Sequence, residues 1–588
     1  MTETETQTRQ PLSRNLQLEA LREALRWPNP NSLTVMALAG QLLAARQDEQ
    51  GSAVFTELAE AAPDQPLYAA LAGFFQVRAG HDLDHALRLL DRAASQAPGL
   101  ANYFRGLVLA NLPASLGKAE TAVADLELVL AIPEQAGFPA GLRRVVYPAL
   151  AAAYATLGRS DDAEAARRQA GPAAAGPDGP ALTTDWWVTR DDGFHLGPPR
   201  VVERAPGVFV AQGFDFADVV AIDTGAGVVL VDTTTSRAHL RAALAALRTA
   251  SGSTAPITHV ILTHAHTDHV GGLDEVRAAN PGVEVIAQVN FADELRLQHA
   301  APAILFRLGD TSGAGRWVDV VPDRLVGAPE KLAVGGVELA LYPIDGGETS
   351  DGLVVHLPDR GVAIVGDMLM PQLGAPFLPE GSAEGLFDAM TLVEGLGPRL
   401  VIHGHTPLTE LFTIEIFPAL RVALTELYQQ TLAAIREGVP LAGILARNHL
   451  PASLRDHPDA VLPYLVMRDN LIQRVHHQRT GYWKADGEGI EVFTATEWAA
   501  ALDLLGGSTA GAFTRAGGDL LDRGDVPLAL RLVDYGRLRH PDDEGLRDLR
   551  RRVLSRLLER YQQLSPFKFA LYAATAGVEV PPAPAGRL

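Results

Sequence analysis

The spacing of apolar residues changes twice along this chain. Across about 16–169 they recur at the helical period in Ala- and Leu-rich runs such as Ala86-Leu87-Arg88-Leu89-Leu90. Between about 185 and 410 the period shortens. Runs such as Val208-Phe209-Val210, Val219-Val220-Ala221-Ile222 and Val228-Val229-Leu230-Val231 read as buried strands. So do 257–262, 283–287, 337–342, 353–357, 362–365 and 400–402. Helical stretches at 237–249 and 273–279 lie among them, and the mixture predicts an α/β sandwich. From 409 to 576 the helical period returns, with a helix pair at 525–560 turning at His540-Pro541-Asp542-Asp543.

Prolines refine the first region. Ala62-Pro63-Asp64, Ala97-Pro98-Gly99 and Ile132-Pro133-Glu134 recur at a 35-residue interval, each after an amphipathic run. The region resembles tetratricopeptide-like repeats in period and in its Ala/Leu/Tyr packing positions, without the full consensus. That resemblance implies a docking or dimerising surface for a protein partner. The alternative is a plain helical bundle packed on the catalytic domain. The expected division is 1–14 disordered, 15–170 helical repeats, 171–184 a Gly/Pro linker, 185–410 the α/β domain, 411–578 helical and 579–588 a frayed tail.

Composition narrows the chemistry. The chain has 588 residues and no cysteine, so disulfides and thiolate metal sites are excluded and any metal must sit on His and carboxylate. A net charge of −20 disfavours a nucleic-acid partner, which wants a basic footprint. No apolar run approaches the roughly 20 residues that span a bilayer. Residues 1–10 are polar with no signal-peptide core, so a soluble, cytoplasmic protein is expected.

The candidate chemistry is concentrated at Thr263-His264-Ala265-His266-Thr267-Asp268-His269, directly after the strand 257–262. In an extended stretch His264 and His266 project to one side, whereas Asp268 and His269 can point apart toward a second ion. The spacing H-x-H-x-D-H on a strand-end loop suits two metals held close together. Four residues cannot fill two coordination spheres. Glu348 on the loop Asp345-Gly346-Gly347-Glu348-Thr349, Asp367 after the strand 362–365, and His403-Gly404-His405 after the strand 400–402 are the further candidates. His259 and His356 lie within strands and read as structural.

The order of these pieces resembles the metallo-β-lactamase superfamily over about 190–410. The resemblance implies a central αβ/βα sandwich flanked by all-α domains on both sides. It also implies a first metal on His264, His266 and Glu348, a second on Asp268, His269 and His405, Asp367 bridging, and Asp232 orienting a ligand histidine. Of the two late histidines the pattern favours His405 as ligand, leaving His403 to contact substrate or support the site. Two divalent ions would hold a bridging hydroxide that Asp268 orients. Zinc suits imidazole with carboxylate, and Mn2+ or Fe2+ would suit the harder donors.

Most of the superfamily has His where this chain has Glu348. A carboxylate there is a feature of the alkylsulfatase branch, which 212–222 and 468–483 also resemble. That resemblance implies hydrolysis of a small-molecule sulfate ester and a homodimer through the C-terminal helices. Asp367 departs from the branch, which usually has Glu there, and its C-terminal sterol-carrier-like domain has no counterpart here. Other hydrolyses on this fold, of lactones, thioesters or phosphodiesters, and a repeat scaffold with a vestigial site are the alternatives. Arg307 and Asn290 are candidate sulfate contacts, and 370–377 a candidate apolar wall.

Overall fold

The computed structural model describes residues 14–132, 140–170, 181–189, 192–300, 319–369, 381–481, 491–504 and 509–580. The expected disordered start through residue 13, the linker segment 171–180, Arg307, the loop 370–377, Trp483 and the tail from 581 lie outside them.

Two sheets form the centre. The first runs β3 (Arg200–Ala205), β4 (Val208–Gln212), β5 (Val219–Asp223), β6 (Val228–Val231), β7 (Ile257–Ile261), β8 (Glu284–Gln288), β9 (Arg324–Val326), in sequence order. Its pairing is antiparallel from β3 to β6 and parallel from β6 to β9. The second runs β10 (Glu330–Val334), β11 (Val337–Gly346), β12 (Thr349–Leu357), β13 (Val362–Gly366), β14 (Leu400–His403), antiparallel except for β13 with β14. A hairpin of β1 (Trp187–Thr189) and β2 (Gly193–His195) precedes them.

Period-two alternation decides which side chains enter the sandwich. Val220 and Ile222 face the inter-sheet core with Val229, Ile261, Leu341, Val355, Ile364 and Ile402. Val219 and Ala221 face the other way, onto Leu240, Ala243 and Leu247 of the helix Arg237–Ser251. That helix starts where the Ser236 side chain accepts from His239 N and stops at Gly252 in the left-handed region. The outer face of the second sheet (Val354, Ala363, Val365, Val401) meets the helix Ala383–Leu396 through Leu386, Met390 and Val393.

The two helical regions flank the sandwich, as expected, and share a core with it. One hydrophobic core runs from Leu38 and Phe75, through that outer face, to Leu424, Leu465 and Phe569. Helix Ser32–Ala44 packs on helix Glu544–Tyr561, where Gln41 Nε2 donates to Arg560 O at 2.9 Å and Arg46 pairs with Glu559 at 3.1 Å. Pro63 and Pro98 fall at turns between helices, and Pro133 lies outside the described residues. The pair around His540 is Val526–Arg539 and Glu544–Tyr561.

The described residues at the edges of the expected linker and tail are held by named contacts. Ala181 N donates to Glu559 at 3.0 Å and Thr183 N to Gln562 at 2.6 Å. Val580 pairs with Val188 through reciprocal backbone bonds and is 1% exposed. No helix among the described residues is long and apolar enough to cross a membrane.

Candidate metal centre

The seven predicted ligands converge on one end of the sandwich, all buried. They come from loops after β7, β11, β13 and β14. His266 caps the short helix Thr267–Val270, which turns Asp268 and His269 inward. Glu348 follows Gly346 and Gly347, both at positive φ; a Cβ on Gly346 would lie 2.2 Å from Gly385 Cα, so the turn needs glycine.

Two groups with metal-ligating geometry result: His264, His266 and Glu348, and Asp268, His269, Asp367 and His405. In the first, Glu348 Oε2 lies 3.3 Å from His266 Nδ1 and 3.6 Å from His264 Nε2. In the second, Asp367 Oδ2 lies 3.0 Å from His405 Nε2 and 3.3 Å from His269 Nε2, while Asp268 Oδ2 lies 3.5 and 3.3 Å from the same atoms. Asp367 Oδ2 is also 3.9 Å from His264 Nε2, which puts it between the groups.

Outer contacts settle which nitrogen faces inward. His405 Nδ1 donates to Phe216 O at 2.8 Å. His269 Nδ1 donates to Asp232 Oδ2 at 2.8 Å. Thr263 donates its N–H and hydroxyl to Asp232, both at 2.8 Å, leaving its oxygen to accept from His264 Nδ1 at 3.0 Å. With those hydrogens committed outward, the Nε2 lone pairs of His264, His269 and His405 point at carboxylates. His264 Nε2, His269 Nε2, Asp268 Oδ1 and Glu348 Oε2 have no hydrogen-bond partner among the described residues. Lone pairs meeting lone pairs in a buried space need protons or cations, so this donor set fits divalent metal.

The same tension appears in the electrostatics of these groups. Burial alone would depress His269, yet Asp268, Asp367 and Asp232 hold it well above the usual imidazole range. Burial followed by its imidazole neighbours His269 and His266 pushes His264 well below it. Burial raises Glu348. It opposes the charge on Asp367 too, but His405 and His269 hold that carboxyl well below its ordinary value.

Asp232 belongs to neither group and lies behind them, on Thr263 and His269. His403 belongs to neither group. It is fully buried, donates from Nε2 to Phe412 O at 3.1 Å, and is lowered to about 4 by burial. That placement favours structural support over substrate contact. Asn290 donates to Ser350 O at 3.1 Å, and His259 pairs with Glu284 at 3.3 Å. Two supports escaped the sequence reading. Arg474, buried in the helix Pro458–Thr480, donates to Gly347 O at 2.7 Å and so holds the Glu348 turn. The Phe216 ring packs 4.4 Å from His405 and 5.5 Å from Phe567 of the last helix. No local spacing signals either.

Residues 212–405 match the family model of the metallo-beta-lactamase superfamily. The similarity reaches further in alkylsulfatases. An (R)-specific secondary-alkylsulfatase from Pseudomonas sp. is 24% identical over 394 residues, 60% of this chain and 59% of that protein. The solved stereoselective inverting sec-alkylsulfatase Pisa1 from Pseudomonas sp. shares the fold at TM-score 0.53 and 20% identity, over 64% of this chain and 65% of that one. A hydroxyacylglutathione hydrolase from Cereibacter sphaeroides is 30% identical over 154 residues, 25% of this chain and 48% of that protein. The chain thus spans less than two thirds of each of these relatives.

Proposed function

We propose that this protein is a metal-dependent sulfate-ester hydrolase acting on alkyl sulfates. Glu348 carries the reading: a carboxylate completes the first ligand group, in a chain similar to a secondary-alkylsulfatase over 60% of its length. His264, His266 and Glu348 would hold one divalent ion, Asp268, His269 and His405 a second, with Asp367 between them. Zinc is the first choice, with manganese or iron as harder alternatives. Such ions lower the pKa of a shared water toward neutrality and polarise the ester oxygen. Asp268, with Oδ1 unbonded among the described residues, orients that water and carries its proton. Asp232, Thr263 and the Phe216 carbonyl keep the imidazoles in the ligating tautomer.

Assembly follows the same reading. Phe493 and Trp498, edge to face at 5.8 Å, are 56% and 50% exposed on the C-terminal region beside Val492 at 89%. A homodimer through these helices covers them. The N-terminal helices supply a surface for a protein partner, and the site of action is the cytoplasm.

Metal content by mass spectrometry, together with sulfate release from a medium-chain alkyl sulfate, tests the enzyme reading in wild type and Glu348→Ala. Two ions per chain with turnover lost in the variant is the expected result. Two ions without sulfate release would overturn the substrate and move it to thioesters or other esters, in line with the hydroxyacylglutathione hydrolase similarity. Protein that takes up no metal would leave a scaffold.

A further inference from the structure

Outside the centre just described, a second set of ligating groups meets where the β1–β2 hairpin touches the helix Arg237–Ser251. Asp192, His195 and His239 offer three ligand atoms within 4.8 Å of one another. His195 Nε2 lies 3.1 Å from Asp192 Oδ2, and His239 Nε2 lies 3.0 Å from Asp192 Oδ1.

Each imidazole is also held from behind. His195, 2% exposed, has Nδ1 3.0 Å from Gly213 O. His239 Nδ1 lies 2.9 Å from Oδ2 of the buried Asp215, a carboxylate itself fixed by the N–H groups of Thr235 and Phe216 at 2.8 and 2.7 Å. A metal-bound histidine characteristically has its other nitrogen on a carbonyl or carboxylate. Here both histidines have it, and both Nε2 atoms turn to the same carboxylate.

The acceptors outnumber the hydrogens. A neutral imidazole has one N–H, yet His195 faces Gly213 O on one side and Asp192 O, at 2.7 Å, on the other. His239 lies between two carboxylates. Either extra protons or one cation must resolve this. Asp192 is 56% exposed, so the site opens to solvent and a cation can enter.

We propose that Asp192, His195 and His239 form a mononuclear zinc site, distinct from the centre at His264–His405, with the Asp192 carbonyl or water completing four ligands. Two imidazoles, a carboxylate and one further oxygen ligand suit a closed, four-coordinate zinc site. The ion would clamp the β1–β2 hairpin to the helix Arg237–Ser251 and to Asp215. The next residue, Phe216, presents the carbonyl that orients His405. The site is therefore structural, acting on the catalytic end through the 213–218 loop. The rival state is a protonated cluster. Burial opposes charge on His239, but Asp215 and Asp192 push it up to about 9.

Zinc counting by mass spectrometry after equilibration with zinc and dialysis separates the two. The full-length chain is compared with His239→Gln and Asp192→Asn, each alone and in an Asp367→Ala background that weakens the main centre. The expected result is a loss of about one zinc per chain from either substitution, in both backgrounds. Cobalt uptake read by its tetrahedral absorption should fall in step, while circular dichroism shows that the variants remain folded. Equal zinc counts in wild type and both variants would overturn the site and leave the protonated cluster, without touching the main centre.

Discussion

Replacing Asp232 by asparagine separates the orientation of a ligand from its identity. Asp232 sits at φ 63, a conformation asparagine tolerates, so the backbone is not the variable. Its carboxylate accepts three hydrogen bonds of 2.8 Å, from His269 Nδ1, Thr263 N and Thr263 Oγ1. Asparagine keeps one acceptor oxygen. If that oxygen stays on Thr263 N, the amide nitrogen faces the His269 Nδ1 hydrogen, donor against donor. The conflict is relieved by moving the hydrogen to Nε2, where it occupies the lone pair aimed at Asp367 and Asp268. Loss of such an outer partner typically costs 10–100-fold in metal affinity, about 1.4–2.7 kcal/mol. The expected outcome is that divalent metal binding at Asp268, His269 and His405 weakens by that factor while binding at His264, His266 and Glu348 is retained. Competition against a chromophoric chelator, with metal counting, reads both. Affinity within about twofold of wild type for both ions would refute the claim that Asp232 sets the His269 tautomer.

Other substitutions probe the packing around the site. A Cβ on Gly404 would lie 2.3 Å from Asp367 Oδ1 and 2.6 Å from His269 Cε1, so Gly404→Ala should displace ligands and lower metal content while costing about 1–3 kcal/mol in urea unfolding. Arg474→Met removes the donor to Gly347 O and should lower stability by roughly 2 kcal/mol, with weaker metal binding at Glu348, seen by denaturant midpoint and metal count. Burial raises the Asp185 carboxyl from its ordinary 3.8 to about 6, so the native state holds a proton that the unfolded chain releases. Stability from this group is present below pH ~4 and falls as pH rises toward 6, by about 3 kcal/mol at most. Asp185→Asn should flatten that slope in urea midpoints from pH 4 to 7, and an unchanged slope would refute the assignment.

Much of the site was legible because it is local. His264, His266, Asp268 and His269 share one loop, and Asp367 and His405 each follow a short continuous apolar run that reads as a buried strand. Asp232 and Glu348 were harder, since each becomes meaningful only beside partners far along the chain. His403 and His405 are alike in sequence; the turn out of β14 separates them, sending one ring to Phe412 and the other to Asp367.

Apolar periodicity by itself marked the α/β centre and the helical regions on either side, and local spacing marked the loop of His264, His266, Asp268 and His269, because short-range geometry dictates which face a residue takes; Glu348, Asp367 and His405 were candidates that the family resemblance joined to it. Only the tertiary structure decided the rest. The N- and C-terminal helices share one core, Arg474 reaches the Glu348 turn, Phe216 holds His405, and Asp192 meets His195 and His239. Each of these joins residues whose local patterns are ordinary. Burial against a distant partner, and the need to satisfy lone pairs there, gives them their roles.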